Sequence, residues 1–306
     1  METRRLRLLL ELSRLGSMRA VAEAAGTSTS TVSQQIAVLA KETGAALIEP
    51  HGRLVRLTPA GRRLAEHAEG ILAAVEAAKL DLAPDAEPSG TLRTAGFATA
   101  IRAHLLPVVA ELAATHPRVR LLVSEHEPAE ALHLLAEDQT DLALVYDYDL
   151  APAAFAPALH TTALWTAPWG LGVPAAGSDH APPASAPEVL ARFRECDFIV
   201  NSRGAADETV VRTLASMAGF TPRVTHRADS LDLVQGMITA GLGVGLLPAG
   251  TALLPGVRLL PLTAPDVTLR AYALARRGRL DWPPLALVTE LLVRRAAERG
   301  DRPRGA

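Results

Sequence analysis

Ser28-Thr29-Ser30-Thr31-Val32-Ser33-Gln34-Gln35-Ile36-Ala37-Val38-Leu39-Ala40-Lys41-Glu42-Thr43-Gly44 is the stretch on which the fold turns. Ser28 suits a helix cap and Gly44 a helix stop, so a helix is predicted over about Thr29–Glu42. At about 100° per residue, Val32, Ile36 and Leu39 form one apolar stripe, with Ser30, Ser33, Gln34, Ala37 and Lys41 opposite. Small and amide side chains let a helix sit deep in the major groove, and Gln can pair with an adenine edge. The competing reading is a solvated face on a core helix opened by a Ser-Thr capping run. Towards the N-terminus, Ser17 caps a second short helix, Met18–Ala25, which follows a first, Thr3–Leu15, closed by Gly16. Two short helices joined by a glycine-containing turn make a helix-turn-helix.

Downstream, His51-Gly52-Arg53-Leu54-Val55-Arg56-Leu57-Thr58 reads as a hairpin running into a helix, a wing beside the helix-turn-helix. Arg53 and Arg56 face opposite sides of an extended strand, and one of them can reach a phosphate. The net charge is -2, but residues 1–60 hold seven Arg and one Lys against five Glu. That asymmetry makes the N-terminal end the phosphate-facing part.

Thr58-Pro59 is a cap followed by proline at the first helical position. Beyond it Leu64, Ala68, Ile71, Val75, Ala78 and Leu82 recur at heptad spacing, flanked by Arg62, Arg63, Glu66, Glu69, Glu76 and Lys79. Such a seam pairs two chains, although an amphipathic helix packed on its own domain has the same pattern. Pro84-Asp85-Ala86-Glu87-Pro88-Ser89-Gly90 reads as a hinge.

From Thr91 strands and helices alternate: strands at 91–97, 119–124, 141–146, 197–200, 223–227 and 243–247, with helices at about 101–115, 206–218 and 230–240 and another starting near Pro128. That alternation predicts an α/β domain of right-handed βαβ units, with ligands beyond the carboxyl ends of strands and at helix N-termini. Thr99, Ala100, Asn201, Ser202 and Arg203 occupy such places, as do Glu125-His126-Glu127, Tyr146-Asp147 and Asp229-Ser230. Helix caps and a solvated arginine are the plainer reading of each.

Three segments together resemble LysR-type transcriptional regulators. Gly16-Ser17-Met18-Arg19-Ala20-Val21-Ala22 is similar to their second helix, and Thr31-Val32-Ser33-Gln34-Gln35-Ile36 with Leu39 to their recognition helix. Leu47-Ile48 and Arg53-Leu54-Val55-Arg56-Leu57-Thr58-Pro59-Ala60-Gly61 are similar to their wing and linker start. The chain departs from the family pattern at Ala25, Thr29, Ser30, Ala40 and Pro50. The resemblance implies a winged helix-turn-helix (1–58), a linker helix for dimerisation (59–83), a hinge (84–90) and a two-lobed α/β domain resembling periplasmic binding proteins (91–298). Lobe one would be 91–163 with 267–298 and lobe two 164–266, leaving a tail at 299–306. It also implies double-stranded DNA as a partner, contacted by Ser30, Thr31, Ser33, Gln34 and Arg53, and a homodimer that assembles to a tetramer. A small-molecule effector would bind between the lobes and change their closure.

The effector is expected to be a small polar metabolite, an anion if Thr99, Ser202 and nearby Arg102 and Arg203 decide its sign. Glu125, Glu127, Asp147 and Asp149 at neighbouring strand ends would select an amine or an amino acid instead. The single Cys196 excludes an internal disulfide and a cysteine zinc site, and no cofactor or metal is expected. No nucleophile elbow, P-loop or dinucleotide fingerprint is present, so an enzyme is not expected. The charged N-terminus, without a cleavable apolar core, predicts a cytoplasmic protein with no membrane partner. A regulator without a small ligand, or an enzyme or solute-binding module fused to a helix-turn-helix, are the alternatives.

Overall fold

The computed structural model describes residues 1–51, 54–82, 87–176 and 185–298. Arg53 of the expected wing, residues 84–86 of the expected hinge, residues 177–184 and the tail 299–306 lie outside them.

The head opens with α1 (Thr3–Leu15), α2 (Met18–Ala24) and α3 (Thr29–Thr43). Ser17 Oγ accepts from the Ala20 N–H and Ser28 Oγ from the Thr31 N–H, both at 3.1 Å, so each cap satisfies an orphan donor. α1 ends at Gly16 (φ 68°), a left-handed stop that side chains with a Cβ disfavour. Val32, Ile36 and Leu39 are closed to solvent and pack with Leu6, Leu9, Leu12, Val21 and Leu47. Each such side chain contributes roughly 1.5–3 kcal/mol by leaving water. The strands β1 (Ile48–His51) and β2 (Leu54–Leu57) pair antiparallel, Ile48 opposite Leu57.

α4 (Pro59–Asp81) starts from Thr58, whose hydroxyl accepts from the Gly61 N–H at 3.0 Å. A Cβ at Gly61 would stand 2.1 Å from the Leu47 carbonyl oxygen, so only glycine lets the helix leave the wing at this angle. α4 lies along α1 and buries Ala65, Ala68, Leu72 and Ala73.

The C-terminal domain continues with β3 (Gly90–Gly96), α5 (Ala98–Ala100), a π-turn (Ile101–Leu105), α6 (Leu106–Thr115), β4 (Val119–Glu125), α7 (Pro128–Ala136) and β5 (Leu142–Tyr148). β6 (Leu159–Pro174), α8 (Ala186–Ala191), β7 (Asp197–Val200), α9 (Ala206–Met217), β8 (Arg223–Arg227) and α10 (Leu231–Thr239) follow. β9 (Val244–Pro248), β10 (Val257–Pro261), β11 (Thr268–Arg276) and α11 (Pro283–Glu298) complete it. The strands run in the order β4-β3-β5-β11-β6-β9-β7-β8, with β10 beside β6. β3 is parallel to β4 and β5, and β7 to β8 and β9. β5 is buried along its whole length, as a central strand covered on both faces should be.

β6 joins the two halves. Up to Pro168 it pairs with β11, and from Trp169 it pairs with β9 and β10. The change of partner falls at 168/169, against an expected lobe boundary at 163/164, because β11 begins only at Thr268 and β6 takes β9 from Trp169. The return crossing falls at Val267, whose carbonyl accepts from the Trp169 N–H at 2.8 Å.

Head and C-terminal domain meet in a knot of charge. Glu69 of α4 accepts from Arg14 of α1 at 3.3 Å and pairs with Arg276 at 2.9 Å and Arg279 at 3.6 Å. Asp138, after α7, takes Arg14 and Arg276, and Asp141 takes Arg93 and Arg279.

Candidate nucleic-acid interface and ligand cleft

On α3, Ser30, Ser33, Gln34, Ala37 and Lys41 are exposed opposite the buried stripe. Ser30 and Thr31 are tied into the cap, each with its hydroxyl 2.8 Å from Ser28 Oγ, and Thr31 is half-buried. Ser33 and Gln34 hold no side-chain partner among the described residues and stand open. Arg56 is committed across the hairpin to Glu49 at 2.6 Å. The expected contact Arg53 lies outside the described residues.

The expected seam on α4 divides. Ala68 is sealed within its own head, and Leu64 packs against the same core. Ile71, Ala78 and Leu82 are exposed and Val75 is half-buried. The buried stripe of α4 runs through Gly61, Ala65, Ala68 and Leu72, one position off the seam over most of its length. Ala68 is thus corrected from the seam to the head core.

A cleft of about 590 Å³ opens among the start of α5, the end of β4, β6 and the start of α10. Phe97, Trp165 and Trp169 form apolar wall, and the His104 ring stacks on Trp165 at 3.5 Å between centroids. Thr99, Arg102, Glu125, Asp229, Asp232 and Gln235 bring polar atoms to it. An inner recess of about 50 Å³ shares Phe97, Thr99, Trp169 and Asp229 with it and adds Glu127, Tyr146, Asn201 and Asp207.

The structure therefore brings Thr99 and Asn201 to one cavity. Ala100 is fully buried in the core behind it and cannot meet a ligand. Ser202 and Arg203 are spoken for, because Asp229 accepts from both backbone N–H groups, from Ser202 Oγ and from Arg203 Nε. Arg203 reaches Glu125 and Glu130 as well. Where the sequence suggested an anion receptor, the chain's own carboxylate already occupies it. Burial pushes the Asp229 carboxyl up, and these donors bring it below its ordinary value. Asp147, at a strand end, points the other way, bound to Arg270 at 2.7 Å and 2.8 Å.

Deeper in, Glu127 Oε2 accepts from Tyr146 Oη at 2.9 Å and Asn201 Nδ2 at 3.1 Å. Burial raises its pKa; the two hydrogen bonds offset part of that rise, and Asp229 adds to it. Asp207, in the first turn of α9, interacts with the Tyr148 hydroxyl, but outside hydrogen-bond geometry. Its Oδ1 and Tyr148 Oη are closed off from solvent without a hydrogen-bond partner. Burial lifts the Asp207 carboxyl to about 6, Tyr148 opposing and Glu127 and Asp229 adding to the rise. Sequence reasoning passed over Asp207 and the two tryptophans; only the acid had a local signal, and it read as an ordinary first-turn residue.

Residues 3–62 match the family profile described as bacterial regulatory helix-turn-helix protein, lysR family, and residues 85–297 the profile described as LysR substrate binding domain. The transcriptional dual regulator GltC of Bacillus subtilis is 27% identical over 253 residues, covering 82% of each chain. A full-length OxyR variant from Pseudomonas aeruginosa superposes with a TM-score of 0.67 at 20% identity, covering 96% of this chain and 97% of that one. The structure of full-length CbnR complexed with its target DNA is similar at a TM-score of 0.53 and 22% identity, covering 97% of this chain and all of that one.

Proposed function

The chain belongs to the LysR family of transcriptional regulators, and on that premise we propose that a small effector in the cleft controls how it holds DNA. The cleft carries this reading: it is lined from β4 and α5 on one side and from α10 and the Pro248–Ala252 turn on the other, so an occupant sets their separation. The protein works in the cytoplasm as a dimer that assembles to a tetramer; no helix among the described residues is long and apolar enough to cross a membrane. Two α3 helices enter successive major grooves of a dyad-symmetric site. Ser33 and Gln34 read bases, Ser30 and Thr31 set the depth of the helix start, and Arg53 holds a phosphate. Ile71, Val75, Ala78 and Leu82 pair the α4 helices. The domains divide as winged helix-turn-helix (1–58), linker (59–83) and effector domain (91–298).

The test is selection of bound genomic fragments, followed by affinity measurement on the selected site. Gln34→Ala is expected to relax base preference by about 1–3 kcal/mol, and Arg53→Ala to weaken all sequences and lower the salt slope by about 1. Ile71→Asp places a charge where nothing pairs it, so sedimentation should show monomer and half-site binding. Unchanged affinity and an intact dimer in all three variants would refute the assignment.

A further inference from the structure

The recess behind the cleft holds a carboxylate that no cation among the described residues answers. Asp207 Oδ1 is shut from solvent, meets the Tyr148 hydroxyl only outside hydrogen-bond geometry, and belongs to a residue that lines the recess. Glu127, Asp229 and Glu125 lie along the same path outward. Against these acids stand Arg203, already bound to Asp229, Glu125 and Glu130, and Arg102 at the rim. The walls between are the faces and edges of Phe97, Tyr146, Trp165 and Trp169. Carboxylates at the end of an aromatic-walled recess favour an ammonium group, which gains from ion pairing and from the ring quadrupoles.

We propose that the effector is a small organic cation whose amine seats in the recess against Asp207 and Glu127, with its apolar body between Trp165 and Trp169. This rests on the cleft being the effector site. It reverses the sign that Ser202 and Arg203 suggest when read alone, because Asp229 has consumed that positive site. Arg102 at the outer rim leaves room for a carboxylate at the far end of the ligand, so the amine is the obligatory group and an amino acid with amine and carboxylate at opposite ends is an acceptable frame.

The groups facing Asp207 are Tyr146 and Tyr148 from β5, Glu127 ahead of α7, and Asp229 ahead of α10. Both tyrosine hydroxyls are raised well above their ordinary value by burial and stay neutral. The pH response therefore belongs to the carboxylates. Amine binding is strongest above pH 6, where Asp207 is ionised, and weakens as the pH falls through about 6.

The experiment uses the full-length protein and three probes on one skeleton: 2-phenylethylamine, 4-(2-aminoethyl)benzoate and 3-phenylpropionate. Tryptophan fluorescence and thermal shift should report the first two and not the third. Amine affinity should fall about tenfold between pH 7.5 and pH 5, while the amine itself stays protonated. Asp207→Asn should weaken the amine by at least about tenfold, with Glu127→Gln as the second variant if the first misfolds. Ala98→Trp, which fills the cleft, should abolish binding. If 3-phenylpropionate binds, the amine is silent and Ala98→Trp removes the signal, the cation is overturned and the cleft stands. If no probe binds, or binding survives Ala98→Trp, both the cation and the cleft reading are overturned.

Discussion

Two clusters of largely buried charge lie in this chain, and they are built on opposite terms. In the knot between head and C-terminal domain, Arg14, Arg93, Arg276 and Arg279 each have carboxylate partners among Glu69, Asp138 and Asp141. Burial pushes the Asp138 carboxyl up, but Arg276 and Arg14 pull it below its ordinary value. In the cleft, burial pushes the Asp207 carboxyl up and only a distorted contact with Tyr148 opposes it, so it settles near 6. A buried charge is costly unless a partner answers it. The knot pairs every one of its carboxylates with arginines of the chain, Arg276 Nε alone being left buried without a partner among the described residues, and so fixes how the head is held. The recess sets only a neutral hydroxyl against Asp207 and supplies no cation among the described residues.

Removing a partner from each cluster should move stability in opposite directions. Glu69→Gln leaves Arg14, Arg276 and Arg279 with one acid fewer in a site where Glu69 is 7% exposed. A loss of about 3 kcal/mol is expected in urea unfolding of the full chain, and an unchanged midpoint would show that the knot is ornamental. Asp207→Asn should instead stabilise the free protein. The folded carboxyl, at about 6 against 3.8 in the unfolded chain, holds more protons between those values. Its penalty is therefore absent below pH 3.8, grows as the pH rises to 6, and is complete above. With the α9 N-terminus offsetting part of it, the gain at pH 8 is on the order of 2 kcal/mol. Arg203→Ala should change stability least, by under about 1 kcal/mol, because its side chain is about one-third exposed and its ion pairs are screened. A loss above that would place Arg203 in the class of the knot.

The head was legible from sequence because its signals are local. The stripe of Val32, Ile36 and Leu39, and the caps Ser17, Ser28 and Thr58, each act within a few residues. The cleft was legible as a place and not as a chemistry. Ser202 and Arg203 stand at a strand end as expected, but Asp229, from another turn of the chain, decides what they do. Ala100 was one residue off, since α5 begins at Ala98 and turns that Cβ into the core. β6 was not among the expected strands; Pro168, Gly170 and Gly172 interrupt its apolar pattern, and in the fold they lie where it changes partner strand. Asp207 and the tryptophans meet only through the packing of distant strands.

Titrating Asp207 itself tests most directly whether the recess keeps a carboxylate without a cation. Carbon-13 NMR of the side-chain carboxyl in the free full-length protein, repeated with saturating 2-phenylethylamine, reads it without a model of unfolding. A midpoint near 6 is expected in the free protein, with a fall towards the ordinary carboxylate range once the amine is bound. A midpoint at or below 3.8 in the free protein would mean that the fold already answers this charge, and the contrast with the knot would be lost.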